Sequence, residues 1–203
     1  WSASSPAVGL DGTVYIGGIN EFGFLATGAK GSFKYVTLTG QLKKEQKNFS
    51  TVWRTNITKE GVYFRTWQYL FRWNPHSGKM KVWEPQGRFN ASFDCLGKLF
   101  IHQRNIGLME MMDDSLKMIP GDETFAAMNI YMIVPYDGTG KKLLIGTRSN
   151  GFYIYDYTVG KTTPFPTGAD DYVKKHGLYY GIRISSSSAS PPTAEFALAT
   201  LRG

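Results

Sequence analysis

The chain has 203 residues, 42% hydrophobic, 15% aromatic and 19% charged, which supplies a substantial core and excludes a disordered chain. Its single cysteine, Cys95, rules out an intrachain disulfide and with it the disulfide-stapled secreted class. The net charge of +7 invites a nucleic-acid partner, but Lys and Arg are spread over the whole length. The densest run, Lys43, Lys44 and Lys47, is broken by Glu45 and Gln46 and suits a solvated loop or short helix, so no nucleic acid is expected.

In chain order, the first copy of a recurring pattern is an Asp11-Gly12 turn, a strand at Val14, Tyr15 and Ile16, a polar break, and a second strand from Phe22 to Leu25. The second copy runs from Glu60 through Tyr63 to Arg65, breaks at Trp67 and Gln68, and resumes over Tyr69 to Trp73 before an NPHSGK turn. The third has Leu99, Phe100 and Ile101, a break at His102 to Asn105, then Gly107 and Leu108. The fourth, KKLLIGTRSNGFYIYD at residues 141–156, is an apolar strand, a turn closed by Gly151, and an alternating aromatic strand. A fifth, residues 196–200, is cut short. Shorter strand-like runs precede the copies at 51–55, 90–94, 129–134 and 178–184, and helical turns are expected only over 41–46 and 122–128.

Aligning Tyr15, Tyr63, Phe100, Leu144 and Ala197 gives steps of 48, 37, 44 and 53 residues, close to the period of about 40 to 50 of a four-stranded propeller blade. A Ser/Pro-rich run at 185–193, read as a flexible loop, stretches the last step. The expected fold is therefore all-β, a β-propeller fragment of about four to five four-stranded blades belonging to a seven-bladed ring; a β-sandwich is the main competitor. Blades are expected at residues 1–48, 49–85, 86–125, 126–175 and a truncated 176–203. The chain begins at Trp1 and stops at Gly203 inside a repeat, so it reads as an excised piece. Further blades or a partner chain are expected to cover its raw edges.

The segments VYIGGINEFGFL (14–25), EGVYFRTWQYLFRW (60–73), KLFIHQRNIGLMEM (98–111), IPGDETFA (119–126) and LLIGTRSNGFYIYD (143–156) resemble the N-terminal propeller of the bacterial two-component-regulator propeller family. The 185–193 insertion departs from that pattern. The resemblance implies a sensor input domain standing ahead of a triple-tyrosine domain, a membrane segment and a histidine kinase or other output module. It also implies the periplasmic or extracytoplasmic side of a membrane-anchored receptor, contact with neighbouring propeller and triple-tyrosine domains, and pairing as a homodimer.

In each blade the turn after the second strand shares a rim with the connection to the next blade. That places Arg65, Trp67 and Gln68, then His102, Arg104 and Asn105, then Arg148, Ser149 and Asn150, and lastly Arg202, around one mouth. Guanidinium groups bind carboxylate or sulfate and aromatic rings stack on sugar faces, so the set Arg65, Trp67, His102, Arg104, Asn105, Arg148, Asn150 and Arg202 suits an oligosaccharide or another small anionic ligand. The competing and slightly weightier reading is that the recurring arginine ties neighbouring blades together through backbone carbonyls.

Other aromatic residues, Trp53, Tyr69, Trp73, Trp83 and Tyr155, are expected in the core between blades. Cys95 reads as a buried inert thiol, and His76 and His176 as solvated surface residues. The pairs Asp113-Asp114 and Asp170-Asp171, taken as strand neighbours, face opposite ways and do not make a glycosidase pair. The sequons at Asn48, Asn56 and Asn90 read as chance matches. No catalytic residue, metal or cofactor is expected. The expectation is a non-enzymatic ligand-sensing domain; the alternatives are a protein-interaction scaffold and a catalytic propeller acting on polysaccharides as a lyase or glycosidase.

Overall fold

The computed structural model describes residues 3–28, 31–121, 123–184 and 195–201; the 185–193 insertion and Arg202 lie outside them. Four antiparallel four-stranded sheets and one two-stranded sheet follow one another, each with its strands in chain order. The first comprises β1 (Ala3–Val8), β2 (Val14–Gly18), β3 (Phe22–Thr27) and β4 (Phe33–Thr37). The second comprises β5 (Arg54–Thr58), β6 (Gly61–Arg65), β7 (Leu70–Asn74) and β8 (Lys79–Trp83). β9 (Phe89–Cys95), β10 (Lys98–Gln103), β11 (Gly107–Met112) and β12 (Ser115–Met118) make the third. β13 (Ile130–Pro135), β14 (Lys142–Thr147), β15 (Phe152–Asp156) and β16 (Lys161–Phe165) make the fourth, and β17 (Leu178–Ile184) pairs with β18 (Glu195–Thr200). The positions aligned from the sequence, Tyr15, Tyr63, Phe100, Leu144 and Ala197, each fall in the second strand of a sheet.

Short polar side chains close the turns locally. Asp11 accepts the Thr13 N–H at 3.0 Å, Asn74 those of His76 and Ser77 at 3.0 and 2.9 Å, Asp137 that of Thr139 at 3.0 Å, and Asp156 that of Thr158 at 2.8 Å. Each is an Asx turn that directs the chain back antiparallel.

Several local expectations are corrected. β5 starts at Arg54 rather than Thr51, because Phe49 and Val52 are fully buried in the connection and lead the chain into the core before the strand begins. The expected helical turns are 3-10 turns at Thr39–Gln41, Lys44–Lys47 and Glu123–Phe125. Residues Asp170–His176 form a helix, α1, not a strand. Its acidic first turn and its basic last turn suit the helix dipole, and only Val173 is buried, so the hydrophobic signal was too thin to announce it. Asp113 and Asp114 sit in the β11–β12 turn, both left-handed with φ of 49° and 62°. His176 is half-buried against Tyr172, ring centroids 4.4 Å apart, rather than solvated.

The chain divides into two compact units, residues 1–99 and 100–203, the division falling within β10. In the first, Tyr15, Phe22, Phe49, Val62, Phe64 and Phe71 form the core, with Phe22 stacked on Phe64 at 4.4 Å. Gly17 lets this core close: a Cβ there would strike the side chain of Val52. In the second, Met132, Leu144, Phe152, Ile154, Val173 and Leu178 pack together. Cys95 is buried, and burial with the nearby Asp94 charge pushes its thiol up to about 12, which keeps it protonated and unreactive.

Candidate functional site

In a four-stranded meander the turn between the second and third strands lies at the same end as the start of the first and the end of the fourth. One recurring hydrogen bond fixes what gathers there. The carbonyls of Gly18, Trp67 and Arg148, at the turns, accept the N–H groups of Val52, Phe89 and Leu178, which open the way into the following sheet, at 2.9, 3.1 and 2.7 Å. The turn residue is thereby held beside the last residues of the next connection.

In the first unit this brings Arg88 to Trp67. The Arg88 guanidinium carbon stands 4.5 Å from the Trp67 ring centre, and Trp67 stacks on Trp53 with centroids 5.2 Å apart and planes 22° apart. Trp53 is 46% exposed and Trp67 37%, so the indole pair is a surface feature. Trp53 therefore departs from its expected place in the core; Tyr155 is buried, while Tyr69 and Trp73 pack against the core cluster as expected. The Tyr69 hydroxyl donates to the Glu45 carbonyl at 3.4 Å, which brings the lysine-bearing 44–47 turn to the same rim.

Beneath the indoles lies Arg65. It is 6% exposed, donates from Nη1 to the Phe89 carbonyl at 3.1 Å and from Nε to Ser92 Oγ at 3.3 Å. Ser92 in turn donates to Asn56 Oδ1 at 2.6 Å, and Asn56 Nδ2 donates to Asp94 at 2.7 Å. Burial, with a smaller push from Arg54, lowers the Arg65 pKa to about 9, which still leaves it charged at neutral pH. Register explains why it differs from its expected counterparts. Arg65 pairs with Leu70 inside the sheet, so the turn position that Arg148 takes in the fourth sheet is taken here by Trp67.

In the second unit His102 is fully buried and its Nε2 lies 3.0 Å from the Phe125 carbonyl. A carbonyl only accepts, so Nε2 carries the proton. Nδ1 is then the bare nitrogen, and it has no partner among the described residues. Burial holds the His102 pKa below its ordinary value, the Phe125 bond opposing in part. The bond pins the segment that follows Phe125, and both exposed turns reach that segment. The Asn105 N–H donates to the Ala126 carbonyl at 3.0 Å and the Arg148 N–H to the Asn129 carbonyl at 2.8 Å. Arg104 and Asn105 are thus brought to one short stretch with Arg148, Ser149 and Asn150, all five exposed. Thr147 Oγ1 accepts the Asn150 N–H at 3.0 Å and donates to the Gly151 carbonyl at 2.8 Å, so the turn carrying Arg148 has a rigid floor. Gly177 takes the place next to Arg148 that Arg88 takes next to Trp67; a Cβ there would lie 3.6 Å from Arg148 Nε.

The expected contact residues therefore separate. Arg65 and His102 are buried and bound to backbone carbonyls; Trp67, Arg104, Asn105, Arg148 and Asn150 are exposed on rims. Trp53 and Arg88, which lie against Trp67, are not among the expected contact residues. A strand starting at residue 51 would have carried Trp53 into the sheet, whereas one starting at 54 leaves it at the rim. Arg88 follows Pro85 and Gly87 and immediately precedes a strand, a pattern from which a connection residue could have been read.

Solved structures share this arrangement of sheets. The WD40 beta propeller domain of Doa1 matches 97% of this chain and 68% of its own length at 12% identity, TM-score 0.59. Virginiamycin B lyase from Staphylococcus aureus matches 98% and 69% at 15% identity, TM-score 0.57, and a streptogramin B lyase 99% and 70% at 15% identity, TM-score 0.56. The chain is part of a β-propeller. At these identities the likeness establishes the propeller fold alone. No family model and no curated protein matches the sequence. Among the described residues of the propeller no helix is long and apolar enough to cross a membrane, and no three His, Cys, Asp or Glu side chains converge as a metal site would need.

Proposed function

We propose that this propeller is the ligand-sensing part of a bacterial two-component-type receptor, non-enzymatic itself, and that it binds an oligosaccharide or another small anionic ligand. One observation carries the binding reading: two turns distant in sequence, bearing Arg104 with Asn105 and Arg148 with Asn150, are anchored to the same 126–129 segment with their side chains exposed. Guanidinium and amide groups on fixed backbone lose little freedom when they bind a carboxylate or sulfate. The receptor context rests on the sequence resemblance, and it implies an extracytoplasmic position, neighbouring propeller and triple-tyrosine domains and a paired receptor. In such a receptor, a ligand preferring one packing of the pair biases the output by its differential affinity for the two states.

Calorimetry with acidic and neutral oligosaccharides, alongside product analysis, tests this reading. Heat of binding without product, weakened in Arg104→Ala, is the expected result. Release of a shortened or unsaturated product overturns the non-enzymatic reading, and absence of binding across the panel overturns the sensing of oligosaccharides.

A further inference from the structure

We infer that Trp53, Trp67 and Arg88 form a separate subsite in the first unit, which takes a uronic-acid ring of a glycan by stacking and by charge together. This rests on the carbohydrate branch of the reading above and adds a site to it.

Three features of the geometry lead there. First, two indoles lie nearly parallel, 22° apart, and both remain substantially exposed; a flat indole face matches the C–H face of a pyranose ring. Second, Arg88 is positioned over Trp67 at 4.5 Å by its cation–π contact, while among the described residues none accepts a hydrogen bond from its guanidinium. Its fork of N–H donors is oriented yet unspent, the condition for bidentate capture of a carboxylate. Third, the platform is rigid. The Trp53 N–H donates to the Arg65 carbonyl at 2.8 Å, and the Phe89 N–H, next to Arg88, donates to the Trp67 carbonyl. Arg65 clamps Phe89 from below. Stacked rings held on fixed backbone lose little entropy on binding. Because Trp53 and Arg88 are both direct neighbours of Trp67, one short oligosaccharide reaches both. A dry protein contact fits less well, since the two rings stand beside the exposed Gln68 and the basic 44–47 turn.

The test titrates the whole chain with trigalacturonate, with its neutral counterpart galactotriose, and with citrate, following tryptophan fluorescence and heat. Trigalacturonate is expected to shift the fluorescence and to bind about tenfold more tightly than galactotriose. Arg88→Gln should remove that preference from the fluorescence titration while galactotriose still shifts the emission. Trp53→Ala should abolish the fluorescence response to both sugars while heat from the Arg104 and Arg148 turns persists, and Trp53→Phe should restore most of that response at unchanged melting temperature. Arg148→Ala, in the other unit, should leave the fluorescence response in place. A fluorescence response to trigalacturonate that survives both Trp53→Ala and Arg88→Gln but falls in Arg148→Ala overturns this subsite and spares the proposed function. Citrate producing the same response as trigalacturonate shows a site for charge alone and overturns the ring-stacking claim. Silence of the native chain toward both sugars overturns the subsite and the carbohydrate reading together.

Discussion

Arg65 donates from Nη1 to the carbonyl of Phe89 at 3.1 Å, across 24 residues of chain, and so ties the end of β6 to the start of β9. The charged group is buried, and its removal leaves the Phe89 carbonyl and the Ser92 hydroxyl each short of a bond. Arg65→Met, which keeps most of the volume, should cost about 2 to 3 kcal/mol through those groups. Urea unfolding followed by circular dichroism should show a lower midpoint at unchanged m-value. A midpoint equal to the native one would mean that the bracket contributes nothing. Tryptophan emission should also move, because Arg88 and Trp67 hang on the same bracket.

His102 makes the stability of the second unit depend on pH. Its folded pKa lies below the ordinary 6.5 because burial disfavours the imidazolium. In the unfolded chain the ring takes up a proton near 6.5, so below that pH the unfolded state binds more protons and gains on the folded one. The contribution is fully present above 6.5 and is lost as pH falls toward the folded pKa. Melting temperatures between pH 7.5 and 5 should fall for the native chain more steeply than for His102→Gln, whose amide can still donate to Phe125. Parallel curves would show that His102 does not titrate on unfolding.

What could be read from the sequence was what repeats locally. Asx turns and alternating strands are encoded within a few residues, so the second strand of every sheet was found. The start of β5 was not, because Phe49 and Val52 are as apolar as strand residues and only their burial in the connection distinguishes them. That three-residue shift moved Trp53 from the rim into the expected core. The arginines posed a register problem: Arg65 and Arg148 look alike against their copies, yet one is paired within the sheet and the other lies past its end. Which side chains meet depends on bonds between consecutive sheets, such as Trp67 to Phe89 and Arg148 to Leu178, and no single repeat contains both partners.

Glu21, within the 14–25 segment that carries the family resemblance, serves the fold. Its Oε1 accepts from the Phe22 N–H and the Tyr35 hydroxyl, both at 3.0 Å, and from Thr37 Oγ1 at 2.6 Å, while Asn20 accepts the N–H groups of Phe49 and Ser50. Burial, assisted by Glu21, raises the Tyr35 pKa, so the phenol stays a donor. Glu21→Ala should cost about 1 to 3 kcal/mol, visible as a lower melting temperature, and leave oligosaccharide affinity as it was. A loss of affinity without a loss of stability would instead give the NEFGFL segment a part in binding.

Arg148 offers the sharpest separation of scaffold from function. Its backbone carries the bonds between sheets, donating to Asn129 and accepting from Leu178, whereas its side chain is exposed beside Gly177. Arg148→Ala keeps both backbone bonds, so stability should stay within about 0.5 kcal/mol of native. Affinity for an anionic ligand should drop about tenfold or more, and the remaining binding should depend less on salt. Thr147→Val does the reverse: it retains the charge but removes the hydroxyl that holds Asn150 and Gly151 in place. If the turn binds through preorganised geometry, this variant also weakens binding while its salt dependence stays native. If charge alone matters, Thr147→Val binds as the native chain does, and the contact belongs to the guanidinium and not to the shape of the loop.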